Sequence, residues 1–178
     1  MKRTYVMPLL VLTLICIVAS AALALMETVT RPIISAAAAE REAAMMSEII
    51  PEAEGFEYID LSGLSEVPQT IRVAYRTTND VGYILIAEVR GFSGVIAIIS
   101  GIDLNGQMIR VAPLSHTETQ GIGTIIDTPA FLVPFENNDS ALDGIDTVTG
   151  ATITTRAFIN AVNDIFLAFE EIRNGAQG

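Results

Sequence analysis

Seven residues near the C-terminal end, Asp146-Thr147-Val148-Thr149-Gly150-Ala151-Thr152, concentrate groups that could handle a phosphate. The hydroxyls of Thr147, Thr149 and Thr152 crowd around a glycine, Thr154 and Thr155 follow, and a helical pattern begins directly after. The first amides of a helix lack intrahelical acceptors and lie at the positive end of its dipole, which suits an anion. The same residues also read as a helix cap, with Thr149 or Thr152 capping and Gly150 easing the turn. A second polar stretch, His116-Thr117-Glu118-Thr119-Gln120-Gly121-Ile122-Gly123, breaks a strand pattern. It reads as a ligand-contacting loop or as a plain connection whose glycines allow tight turns. Gly121-Ile122-Gly123 lacks the third glycine of a dinucleotide fingerprint. Ser115 beside His116 does not suggest a nucleophile and its base, because adjacent residues in an extended chain point apart.

The rest of the composition narrows the chemistry. Cys16 is the single cysteine and His116 the single histidine of 178 residues. Cys16 sits in an apolar run and reads as a small buried hydrophobe. The remainder of the chain has no thiol for a disulfide or an iron–sulfur cluster, and no second histidine for a metal or haem site. Any redox role therefore falls to an organic cofactor. The net charge is −11, and Lys2 is the only lysine. So acidic a chain is repelled by nucleic acid and by anionic headgroups, which excludes DNA and RNA as partners.

The elements that would position these residues follow from patterning. Residues 4–26 carry no charge. As a helix they span roughly 34 Å, enough for a bilayer core of about 30 Å. Ala22-Leu23-Ala24 resembles a signal-peptide cleavage site, but the run exceeds the usual signal core of about 7–15 residues, favouring a retained anchor. Lys2 and Arg3 precede it, so the positive-inside rule puts the N-terminus in the cytoplasm and the rest outside. Residues 27–32 read as a break, with Pro32 starting a new helix over 33–49 that Pro51 ends. That helix is either a stalk or an ordinary surface helix. The expected organisation is thus 1–26 anchor, 27–50 stalk and 51–178 outer domain.

Strands are expected at 56–59, 71–76, 83–90, 95–100 and 108–113, with Asn105-Gly106 as the strongest hairpin signal. In the second, Ile71, Val73 and Tyr75 alternate with Arg72 and Arg76, a half-buried pattern. Residues 128–135 suggest a short helical turn. Phe158, Ala161, Val162, Ile165, Phe169 and Ile172 make the buried stripe of a closing helix over 152–173. The fold class is α+β: one membrane helix, an antiparallel meander and a C-terminal helix.

Taken in order, the N-in anchor, Gly91-x-x-Gly94, the hairpin through Gly106, His116-x-Glu118-Thr119-x-Gly121-x-Gly123 and Asp146-x-x-Thr149-Gly150-Ala151-Thr152 resemble the FMN-binding domain of the G subunit of Rnf electron-transport complexes. The C subunit of the sodium-translocating NADH:quinone reductase is a close relative, usually longer, so the short chain favours the Rnf subunit. The resemblance covers nearly the whole chain. Gln120 departs from the proline common at that place, which loosens the loop but removes no reactive group. The resemblance implies FMN joined to Thr152 through a phosphoester, attached from FAD by a separate Mg²⁺-dependent flavin transferase that recognises Asp146, Gly150 and Ala151, with Thr149 a structural neighbour. It implies His116, Glu118 and Thr119 as flavin-lining residues. It also implies an electron-relay role beside other membrane subunits of an ion-translocating ferredoxin:NAD oxidoreductase, with no turnover alone. The alternatives are the quinone-reductase subunit, a membrane-anchored FMN-binding sensor outside any pump, or an anchored hydrolase using Ser115 and His116.

Overall fold

The computed structural model describes residues 3–64 and 66–175, with side chains from Met7 onward. Lys2, and the side chain of Arg3, on which the membrane orientation was read, lie outside the described residues. The chain divides into two compact units, Met1–Glu42 and Ala43–Gly178.

Helix α1 runs Arg3–Ile49 and contains Pro8 and Pro32. The segment from Met7 has a mean hydropathy of 2.8 over its most apolar window, and is long and apolar enough to cross a membrane. The break expected at residues 27–32 is absent. Pro32 removes a single ladder bond, and the turn around it is held from both sides. Arg31 pairs with Glu27 at 2.8 Å, and Ser35 Oγ donates to the Pro32 carbonyl at 3.0 Å. Pro51 does stop the helix, whose last carbonyls are partly satisfied by Arg110 Nη1 donating to Glu48 O at 3.0 Å.

The second unit is built on a five-stranded antiparallel meander, β1 (Phe56–Ile59), β2 (Ile71–Thr77), β3 (Gly82–Arg90), β4 (Val95–Asp103) and β5 (Met108–His116), in sequence order. A pleated strand sends alternate side chains to opposite faces. In β3 and β4 both sets are apolar and buried: Leu85, Ala87, Ile96 and Ile98 on one face, Ile84, Ile86, Ala97 and Ile99 on the other. The first face receives α3 (Thr152–Gly175) through Phe158, Val162, Ile165 and Phe169; the second receives Met46, Ile49 and Ile50. A sheet covered on both sides explains why the strands read as continuous apolar runs.

Two strand details differ from the sequence pattern. Ile71 pairs with Ala87 and Val73 with Ile86, so Arg72 is an extra residue, a β-bulge. The bulge moves Ile71 to the α3 face while Val73 and Tyr75 face the end of α1. They do not share a face, and the strand is covered on both sides. The last strand also runs on through His116, so the polar loop starts at Thr117. After it come a 3₁₀ turn (Gly123–Asp127), the four-residue helix α2 (Pro129–Leu132) and a second 3₁₀ turn (Val133–Phe135).

Phe158 ties these pieces together: it is fully buried, 5.3 Å centroid-to-centroid from Phe131 and 5.6 Å from Phe135. Truncation here opens a cavity lined by groups from three elements that cannot collapse together. Phe158→Ala should destabilise the folded unit by about 3–5 kcal/mol, measured by denaturant unfolding of the detergent-solubilised chain.

Candidate functional site

Helix α3 begins at Thr152, as its hydroxyl cluster suggests, but not through the expected cap. Thr149 is exposed and makes no hydrogen bond. The turn is instead locked from inside the helix: Thr155 Oγ1 accepts from Val148 N at 3.1 Å and donates to Ala151 O at 3.0 Å. Gly150 has φ +90°, a left-handed conformation that side chains resist, and it carries the chain into the helix. This arrangement leaves Thr152 half-buried, its hydroxyl reaching only the Val148 carbonyl at a long 3.4 Å. A hydroxyl so weakly engaged, beside the orphan amides of a helix start, is available to another partner.

On one side of Thr152 is a cavity of about 370 Å³, within the roughly 300–1,000 Å³ of small-molecule sites. Phe92, Ile122 and Ile153 supply apolar wall; Glu118, Thr119 and Thr154 supply polar groups; Gly123, Gly150 and Ala151 complete it. Phe92, Ile122 and Ile153 are 55–65% exposed and form an open apolar rim. The lining is thus mostly apolar, with polar groups at Glu118, Thr119 and Thr154 and the Thr152 hydroxyl in the wall.

Glu118 organises the cavity and is only 8% exposed. Its Oε1 accepts from Ser93 N at 2.9 Å and Gly94 N at 3.4 Å, and Oε2 accepts from Thr154 Oγ1. The fit leaves no room at two glycines. A Cβ on Gly91 would come within 2.5 Å of Oε1, and one on Gly123 within 2.6 Å of the Glu118 Cβ. Burial pushes the carboxyl up, but hydrogen bonds from Thr154 and from the Ser93, Gly94 and Phe92 amides outweigh it and hold the group below its ordinary value.

The other residues singled out from the sequence divide. Thr152, Gly150, Ala151, Glu118 and Thr119 come together around one cavity. Thr149 lies outside its wall, and Asp146 lines a separate depression with Ile125, Phe131 and Pro134. His116 does not line the cavity either. Its Nε2 meets both Asp127 oxygens, at 2.9 and 3.0 Å, and its Nδ1 accepts from Glu118 N at 3.2 Å, so it holds the Glu118 backbone. With both ring nitrogens engaged it is no base for Ser115. Phe92, Ser93, Ile122, Ile153 and Thr154 were missed. The apolar ones carry no chemical signature, and the pairing of Thr154 with Glu118 joins residues 36 apart in sequence. The Gly91-Phe92-Ser93-Gly94 turn, an exposed aromatic between two glycines, was the available signal. Among the described residues no group of three acidic, histidine or cysteine side chains could hold a metal.

Comparison with known proteins matches residues 91–166 to the FMN-binding domain family. The chain is 29% identical over 164 residues to the G subunit of the ion-translocating oxidoreductase complex of Methanosarcina acetivorans, covering 85% of this chain and 87% of that one. It is 22% identical over 163 residues to the G subunit of the proton-translocating ferredoxin:NAD(+) oxidoreductase complex of Clostridium ljungdahlii, covering 86% and 85%. Against the G subunit of the ion-translocating oxidoreductase complex of Salmonella typhimurium the identity is 28% over 171 residues, covering 84% and 83%.

A carboxyl held low in the fold stabilises it fully above the ordinary value of 4.5, and that contribution is lost as pH falls through the lowered one. Glu118→Gln should therefore cost on the order of 2 kcal/mol at neutral pH and flatten the acid limb of a melting-temperature-against-pH curve. An unchanged acid limb would show that Glu118 is not the group responsible.

Proposed function

We propose, from the premise that the chain is a homologue of the G subunits of ion-translocating oxidoreductase complexes and carries an FMN-binding domain, that it is the electron-relay subunit of a membrane-bound ferredoxin:NAD oxidoreductase of the Rnf type. Its FMN is joined to Thr152 by a phosphoester. The observation that carries this reading is the cavity beside Thr152, apolar at its rim, polar at its base and flanked by a weakly engaged hydroxyl at a helix start. FMN supplies one- and two-electron chemistry that no side chain of this chain supplies.

Each part of the site has a task in this reading. Phe92, Ile122 and Ile153 would supply the apolar contacts that hold the ring, and their exposure would keep the site accessible to a redox partner. Glu118 holds the turn bearing Phe92 against the start of α3. Attachment makes the Thr152 Oγ–P bond and breaks the pyrophosphate P–O bond of FAD, with AMP leaving and the hydroxyl proton passing to solvent. A flavin transferase performs this step, reading Asp146, Gly150 and Ala151 on the exposed turn. Residues 1–26 anchor the chain in the cell membrane with the N-terminus in the cytoplasm, the stalk expected over 27–50 is confined to 27–42 because Met46, Ile49 and Ile50 are core of the second unit, and that unit carries the flavin outside. The other membrane subunits of the complex are its partners.

Co-expression with a flavin transferase should give a band that fluoresces under ultraviolet light on a denaturing gel, lost in Thr152→Ala and kept in Thr149→Ala. A dark wild-type band refutes covalent flavin; the reverse pattern in the two variants moves the attachment site. Protease added outside intact spheroplasts should digest residues 51–178, whereas full protection reverses the orientation.

A further inference from the structure

In the second unit most arginines are engaged. Arg72 faces Glu88 at 3.6 Å, Arg76 meets Asp80 at 2.7 Å, Arg110 approaches Glu136 at 3.8 Å, and Arg173 pairs with Glu170. Arg90 and Arg156 are the two described arginines of residues 43–175 with neither an ion pair nor a hydrogen bond. Both line one cleft of about 440 Å³, whose wall also includes Thr152, Ile153, Asn160 and Asp164. Thr152 and Ile153 belong to this cleft and to the cavity described above, so they form a ridge between the two.

The cleft is polarised along α3. Arg156 follows Thr152 by four residues, one turn on the same face, and Arg90 ends β3 beside it. Asp164 is eight residues beyond Arg156, roughly 12 Å along the axis, and its carboxylate accepts from Thr70 Oγ1 at 2.7 Å. The positive end of the cleft is thus the end at Thr152. Two unpartnered guanidiniums in a chain of net charge −11 stand where an anion would otherwise meet a repulsive field. The guanidinium fork is matched to phosphate oxygens.

We propose that Arg90 and Arg156 clamp the flavin phosphate at Thr152, which turns into this cleft while the ring lies in the cavity across the ridge. The clamp rests on the flavin reading given above. It adds two side chains that make the site selective for a phosphorylated flavin before any covalent bond forms. Both side chains are exposed, so the contribution is reduced by solvent and falls with ionic strength.

The test uses full-length apo-protein in detergent, made without a transferase and titrated with FMN and with riboflavin, which lacks the phosphate, following quenching of flavin fluorescence. Wild type should bind FMN about tenfold more tightly than riboflavin at low salt. Added inorganic phosphate should compete with FMN and leave riboflavin binding unchanged. R90Q/R156Q should abolish the preference by weakening FMN alone, and R90K/R156K should keep part of it. Equal affinities in wild type, or an undiminished preference in R90Q/R156Q, overturn the clamp while leaving the flavin reading intact. Binding of neither flavin to wild type also overturns the clamp, whereas the flavin reading falls only with a dark wild-type band after co-expression with the transferase.

Discussion

A carboxylate withdrawn from water must be supplied with hydrogen-bond donors, and Glu118 draws them from two segments far apart in sequence. The amides of the β3–β4 turn serve one oxygen, and Thr154 in the first turn of α3 serves the other. Its own backbone is held by His116, which Asp127 fixes in turn. Removing either end leaves buried polar atoms unpaired, a penalty larger than the net worth of the bonds themselves. The ligand cavity is the space left over once this knot is tied.

That knot works because the framework around it is stiff. β3 and β4 are buried on both faces, so neither can tilt without disturbing one core or the other. α3 lies on the sheet through large side chains whose centre is a cluster of three phenylalanines. The helix start that presents Thr152 is therefore fixed at its far side by packing and at its near side by Thr155 and Glu118. The turn leading into that fixed helix start is exposed at Thr149 and Gly150, where the positive φ of Gly150 carries the chain into the helix.

Much of this was legible in the residues. The five strands, the Asn105-Gly106 hairpin, the closing helix and its buried stripe follow from local periodicity, and Thr152 at the helix start follows from hydroxyls preceding an amphipathic run. What was not legible depends on distant partners. The bulge at Arg72 is a matter of pairing with β3, invisible to a pattern that alternates correctly by itself. Pro32 looked like a helix start because one proline can begin or merely interrupt a helix, and the Glu27–Arg31 pair favours continuity. His116 read as a ligand residue from its neighbours, whereas Asp127, eleven positions on, gives it a supporting task. Phe92 offered no chemical signature until the turn that carries it was placed beside Thr152.

The sheet order has a consequence for how the molecule comes into being. Every strand pairs with its neighbour in sequence, so the meander can form as the chain emerges. The helix that covers one apolar face is the last element made. Until it arrives, Leu85, Ala87, Ile96 and Ile98 face solvent on a sheet that already has edges, the condition under which nascent chains stick to one another. The same late helix carries the threonine at the site. A nascent chain is thus unable to present that hydroxyl on a helix until its own hydrophobic face is closed, and the cavity beside Thr152 exists only in molecules that have finished folding.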